Sequence, residues 1–317
     1  MHIHLTAHTD KFIPLDSSKQ FALVLGNFDG IHRGHKFLIE TLIKESTINN
    51  NIPLLVTFNP STKTFFNNEN RILLNLESKL LKLQNLGINH LALLDFNEIY
   101  QLSAQEFFNN ILLKNFNPSL IIVGEDFKFG SKLTGDTKLL KSLCNANNIG
   151  FKTLPKLVEK DIVISSSNIK NFLSNNNLAL ANSFLGYNYQ ITSKVILGNQ
   201  LGRTLGFNTA NLIIKPYATL LHGVYITKVF LKKFNKYYNS ISNFGIKPTI
   251  KNNNQQELLE VHIFDFNQDI YGEELTVEFL SMLRKEKKFN SLKDLKIQIE
   301  KDTQIAKDYF KKIIVNN

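Results

Sequence analysis

Between residues 21 and 165, short apolar runs alternate with longer stretches whose apolar positions recur every three to four residues. The runs at 21–25, 53–58, 90–95 and 120–124 have the length and composition of buried strands, and 36–45, 76–86 and 104–115 carry the helical period. Ser103, with Glu106 three residues on, forms a capping box ahead of the third helix, and Gly87 stands where the second must stop. Strand and helix in alternation predict an α/β domain with a parallel sheet, in which ligands sit beyond the carboxyl ends of the strands. After residue 185 the pattern changes. Runs at 189–197, 223–230, 236–244, 258–264 and 275–279 are rich in Ile, Val, Tyr and Phe, with no helical stretch between them. That predicts an antiparallel β-barrel or sandwich. From Ser291 to about residue 313 a long amphipathic helix follows, with Leu292, Leu295, Ile299 and Ile305 spaced to lie against the barrel. The change falls at Leu185-Gly186, giving domains 1–184 and 185–317.

The 317 residues, 43% of them hydrophobic, are enough for two cores. No apolar run approaches a bilayer span, and the first ten residues lack the basic-then-apolar order of a signal peptide. The expectation is a cytoplasmic protein with no membrane partner. A single cysteine, Cys144, excludes an internal disulfide and a cysteine-based zinc site, and reads as a small buried hydrophobe. The net charge of +10 is scattered except at 284–288 and in the last helix. Without a zinc-finger or aromatic RNA-binding signature, it points to phosphorylated ligands rather than to nucleic acid.

The densest chemistry lies at 25–35, Leu-Gly-Asn-Phe-Asp-Gly-Ile-His-Arg-Gly-His, directly after the first apolar strand. The first turn of a helix leaves N–H donors unpaired and carries partial positive charge, so an anion is stabilised there. Gly26, Gly30 and Gly34 remove the Cβ atoms that would keep a phosphate from the backbone. His32 and His35, three apart, share a face if both lie in the first helical turn, where they can donate to phosphate oxygens. A metal site or a helix cap would use the same histidines; three glycines after a strand favour the phosphate. Further on, Thr209 and Asn211 lie two apart, on one face of an extended segment, and offer hard oxygens suited to Mg²⁺. Glu260 sits between apolar Leu259 and Val261 with His262 on its own face, and a carboxylate there can take the proton of an alcohol.

The glycine and histidine pattern Gly26-x-Phe28-Asp29-Gly30-x-His32-x-Gly34-His35 resembles the opening motif of the bacterial bifunctional riboflavin kinase/FMN adenylyltransferase family, also called FAD synthetase. Further resemblances follow in the family's order at 123–130, at 164–170, at 198–212, at 243–249, at Glu260-Val261-His262 and at 283–289, so that they cover nearly the whole chain. The resemblance implies a Rossmann-like nucleotidyltransferase domain that makes FAD from FMN, and a riboflavin kinase barrel that makes FMN from riboflavin. It implies ATP as co-substrate of both and Mg²⁺ as the metal. It assigns Gly26, Phe28, Asp29, Gly30, Gly34, Ser165, Ser166 and Lys170 to one ATP and Gly202 and Arg203 to the other, with His32 and His35 catalytic in the first domain. It makes Glu260 the base on the ribityl hydroxyl, Thr209 and Asn211 the metal ligands, and Asp126 and Arg284 contacts on the flavin side. Arg284 reads equally well as part of a solvated charge run. Three positions depart from the family pattern: Lys170 replaces an arginine, Asn208 replaces a proline, and 57–62 lack the His-Pro that follows Thr-Phe-x-Pro. These departures leave open that one of the two activities has lapsed. A non-catalytic, basic nucleic-acid-binding module is the reading from another class, and intact His32, His35, Thr209, Asn211 and Glu260 weigh against it.

Overall fold

A computed structural model describes residues 2–6, 19–62, 65, 71–198, 206–214, 220–248 and 255–315. The chain forms two compact units, one of Met1–Asn70 with Leu76–Ser166, the other of Arg71–Asn75 with Ser167–Asn317.

The first unit holds a six-stranded parallel sheet of β1 (His2–Thr6), β2 (Phe21–Leu25), β3 (Ile52–Asn59), β4 (His90–Asp95), β5 (Pro118–Gly124) and β6 (Gly150–Leu154), in the order β1-β4-β3-β2-β5-β6. Strand β2 is buried along its whole length, as a continuous apolar run in a doubly covered sheet should be. The chain winds outward from β2 through β3 to β4, then returns to lay β5 on the other side of β2. The loops that leave β2 and β5 therefore flank the point where the winding reverses, where open α/β sheets bind ligands. The expected helices occur at Arg33–Ile48, at Leu76–Asn85, which Gly87 follows with φ 89°, and from Ala104 to Phe116. The capping box forms: Ser103 N–H donates to Glu106 Oε2 at 2.8 Å and Glu106 N–H to Ser103 Oγ at 3.2 Å. The middle of that third helix, Phe107–Leu113, is wound as a π-helix rather than the expected α-helix, and it carries Phe107, Phe108, Ile111 and Leu112 into the core. Strands β1 and β6 are not foretold by apolar runs. Both are outer strands of the sheet, and β6 buries only Leu154 fully. A short hairpin, β7 (Val158–Glu159) with β8 (Ile162–Val163), completes this unit.

In the second unit β9 (Gln190–Ile196), β10 (Ala210–Ile213), β11 (Gly223–Leu231), β12 (Lys236–Pro248), β13 (Gln255–Ile263) and β14 (Glu274–Lys285) close a barrel in the order β10-β13-β12-β11-β14-β9. Closure, rather than a sandwich, removes every free edge. Two helices before the barrel, Ser166–Ser174 and Leu178–Leu185, fall almost wholly in this unit. Asn182 Nδ2 donates to the Phe279 carbonyl at 3.1 Å, and Tyr189 N–H to Asn182 Oδ1 at 2.7 Å. The units thus divide at Ser166/Ser167, ahead of the change in sequence character at Leu185-Gly186.

The helix Leu292–Val315 packs Ala306 and Phe310 against Val224, Ile226, Ile241 and Phe264. Its rotation corrects the expected apolar face, because Leu292 is 58% and Ile305 45% exposed. The buried line is instead Asp302, Ala306 and Phe310, with Asp302 ion-paired to Arg284 of β14. Cys144 is fully buried, and burial pushes its thiol up to about 12, so it is a core residue with no thiolate chemistry. No helix among the described residues is long and apolar enough to cross a membrane.

Candidate active sites

At the end of β2 the backbone leaves the sheet through a loop that only a special set of dihedral angles permits. Phe28, Gly30 and Ile31 all have positive φ, at 49°, 83° and 40°. Two non-glycine residues in that region store strain, which persists only where the surroundings hold the loop in place. Here they do. Phe28 is fully buried, Asn27 Nδ2 donates to Thr62 Oγ1 at 2.8 Å, and Thr62 N–H donates back to Asn27 Oδ1 at 3.2 Å. Ser166 Oγ donates to the Asp29 carbonyl at 2.7 Å, a second tie on the loop from within the same unit. A Cβ on Gly34 would stand 3.2 Å from the His32 ring and 3.4 Å from the Ile164 carbonyl, so glycine is what lets this turn close.

His32 is the N-cap of the helix Arg33–Ile48 and not, as the spacing suggested, a member of its first turn. Its Nδ1 accepts the His35 N–H at 3.3 Å, and the two rings stack with centroids 3.7 Å apart. An Nδ1 that accepts carries no proton, so the neutral ring holds its hydrogen on Nε2 and is a donor there. Burial pulls His32 down to about 4, against the opposing pull of Asp29. His35 lies well below 6.5, through burial first and then the charges of His32 and Lys79. His35 Nδ1 is buried with no hydrogen-bond partner among the described residues. Above pH 6.5 both the folded and the unfolded histidine are neutral. As pH falls toward 4 the unfolded chain takes its proton first, so stability present above 6.5 is lost across that window. For His32 the loss is about 3 kcal/mol. Urea midpoints measured at pH 7 and at pH 4.5 should fall accordingly, and the His32→Asn variant should show a flatter dependence.

Lys79 stands in none of the motifs read from the sequence, and Asn27, Thr57 and Thr62 stand in them without an assigned role. Lys79 is 8% exposed, and its Nζ donates to the Asn27 carbonyl at 2.7 Å and to Thr57 Oγ1 at 2.9 Å. Burial pulls it down to about 8, with Asp29 opposing. The signal was present: Lys79 stands three after Leu76 and four before Leu83, a core-facing slot of an amphipathic helix filled by a lysine.

In the barrel, strand register assembles the second constellation. Asn211 on β10 lies directly opposite Glu260 on β13, and Glu260 lies opposite Asn243 on β12. Leu259, Val261 and Ile263 are buried, so Glu260 and His262 share the other face. His262 donates from Nδ1 to the Asn208 carbonyl at 2.8 Å, which anchors the loop where the family has proline. Burial, the largest influence, holds the His262 ring below its ordinary range. Asn211 is 4% exposed, its Nδ2 reaches the Thr209 carbonyl at 3.4 Å, and its Oδ1 is buried with no partner among the described residues. A Cβ on Gly198 would run into that amide. Thr209 and Asn211 line a cavity of about 220 Å³ together with Val195, Val261, Phe266 and Tyr271.

Two family models match the chain, riboflavin kinase over residues 185–310 and FAD synthetase over residues 15–168. A bifunctional riboflavin kinase/FMN adenylyltransferase of Buchnera aphidicola subsp. Schizaphis graminum is 39% identical over 293 residues, 91% of this chain and 94% of that one. The chain belongs to the bifunctional riboflavin kinase/FMN adenylyltransferase family. The Bacillus subtilis (strain 168) member is 35% identical over 315 residues, covering 97% of this chain and 98% of its own. A crystal structure from Streptococcus pneumoniae, named a macrolide-efflux protein, is 30% identical with a TM-score of 0.84 over 97% of this chain and 99% of that one.

Other residues assigned by resemblance to this family's two sites are placed less simply. Asp126, beyond β5, has an exposed carboxylate bound to Lys156 Nζ at 2.8 Å. Next to it, Phe129 is buried in the core and Phe127 packs against the same core. Ser165 immediately precedes the helix Ser166–Ser174, on which Lys170 lies one turn in, beyond the division between units. Gly202 and Arg203 of the kinase half lie outside the described residues. Arg284, in the riboflavin kinase half, is no part of a solvated charge run. It donates from Nε and Nη2 to Asp302 Oδ2, at 2.9 and 2.7 Å, and from Nη1 to the Lys285 carbonyl at 3.0 Å. Its guanidinium braces the last helix against the barrel.

Proposed function

We propose that the chain phosphorylates riboflavin at the barrel and adenylylates the resulting FMN at the parallel-sheet unit, with ATP as co-substrate of both steps. At the barrel the terminal ribityl hydroxyl attacks the γ-phosphorus of ATP. The new O–P bond forms as the bond to ADP breaks, and Glu260 takes the hydroxyl proton. The observation that carries this reading is the register pairing of Glu260 with Asn211, whose Oδ1 is buried and unpartnered among the described residues. A buried acceptor left in that way calls for a cation or a ligand donor. The hard oxygens of Thr209 and Asn211 fit Mg²⁺, which takes its other ligands from phosphates and water and would neutralise charge on the transferring phosphoryl group.

At the sheet unit an FMN phosphate oxygen attacks the α-phosphorus of ATP, and the bond to pyrophosphate breaks. No protein nucleophile is needed. The residues position the reactants and stabilise charge. His32 offers a neutral Nε2–H, His35 stacks beside it, and the 26–34 loop brings backbone to the helix start. Ser165 and Ser166 suit the β and γ phosphates, and Asp126, already beside Lys156, suits a ribose hydroxyl better than a phosphate. The ATP supply and a lone reduced thiol suit the cytoplasm.

Asn211→Ala should raise the Mg²⁺ concentration needed for half-maximal riboflavin phosphorylation by at least about tenfold. The requirement for adenylylation of supplied FMN should not move. Magnesium titrations of the two reactions in the same preparation separate these outcomes, and an unmoved kinase titration would remove Asn211 from the metal site.

A further inference from the structure

Lys79 is a buried cation that hydrogen bonding alone does not require. It meets the loop from below, through the Asn27 carbonyl and the Thr57 hydroxyl, while Thr57 Oγ1 already donates to that same carbonyl at 3.2 Å. A neutral side chain of similar length would leave the Asn27 carbonyl satisfied by Thr57 and avoid the cost of burying an ammonium. Retaining a costly charge beneath a strained loop is what a site gives up in stability for function. Asp29 is the ionisable group that acts on it, and Lys79 in turn acts on His35, which stacks on His32.

We propose that Lys79 is a positioning residue for adenylyl transfer: it pins the 26–31 loop at the Asn27 carbonyl and keeps a fixed positive charge under the histidine pair that faces the nucleotide phosphates. The inference rests on the assignment of adenylyl transfer to the histidine loop. In low-dielectric surroundings such a charge acts strongly on a phosphate bound across the loop, and it opposes protonation of His35, preserving the neutral donor. Since burial brings Lys79 to about 8, its charge is lost in mildly alkaline solution.

Three consequences are measurable in the full-length chain, with riboflavin phosphorylation by the same preparation as internal control. Wild-type adenylylation of FMN should decline above about pH 8, a limb absent from the kinase reaction. Lys79→Met should lower kcat of adenylylation about 100-fold, with no remaining alkaline limb and no loss of thermal stability at pH 7. Lys79→Arg, whose charge does not titrate, should recover part of the rate and keep it flat to pH 9.5. Should the Met variant fail to fold, Thr57→Val leaves the lysine in place and removes one acceptor of its charge, and the limb should then move toward neutral pH. A Met variant with wild-type adenylylation, or a limb that Thr57→Val leaves in place, would overturn the role of Lys79. His32→Ala with His35→Ala tests the underlying assignment separately. If that double variant keeps adenylylation, the site itself is wrong; if it is inactive while Lys79→Met is normal, only this inference fails.

Discussion

Replacing both loop histidines, His32→Ala with His35→Ala, is expected to abolish FAD formation while FMN still accumulates from riboflavin. Each neutral imidazole N–H aimed at a developing phosphate charge is worth about 10²–10³ in kcat, by analogy with single donors of oxyanion holes. The two rings are stacked at 3.7 Å and share one backbone turn, so their contributions belong to a unit and the double variant is the informative one. The kinase constellation lies in the other compact unit and contains neither histidine, so it supplies its own control. Separation of riboflavin, FMN and FAD by chromatography reads both activities at once. Undiminished FAD output would reject the site.

Glu260→Gln should have the opposite effect. Glutamine keeps the shape and can still accept a hydrogen bond, but it cannot take the proton of the attacking hydroxyl, so FMN formation should fall by about 10²–10⁴. Adenylylation of supplied FMN should proceed as in the wild type. Register alone puts Glu260 opposite Asn211 and Asn243, so the substitution removes a charge from the centre of three adjacent strands without touching their hydrophobic faces. Retained phosphorylation of riboflavin would take Glu260 out of the mechanism.

The parts of this fold that sequence pattern reveals are those whose signal is local. Strands β2 and β4 stand at the predicted bounds because both are continuous apolar runs inside a sheet covered on two faces. The glycine loop is legible for the same reason: its turn, its backbone approach and its helix start are written in consecutive residues. Features set by distant partners are not. Arg284 reads as one charge in a run until Asp302 is brought to it by the folding of the last helix. Strand β10, four residues at the end of the 198–212 motif, is too short to announce itself, although closure of the barrel depends on it. Lys79 left only a lysine in a core slot, and nothing in the sequence pairs it with Asn27 and Thr57.

The central claim is that two separate sites in one chain carry out successive reactions linked by FMN. Mixing the His32→Ala/His35→Ala variant with the Glu260→Gln variant, in riboflavin, ATP and Mg²⁺, tests it most directly. The first should make FMN and stop, the second should consume riboflavin about 10²–10⁴ times more slowly than the wild type, and the mixture should produce FAD after a lag in which FMN rises and then falls. A mixture that accumulates FMN and yields no FAD, or either variant alone making FAD from riboflavin at the wild-type rate, would contradict the account.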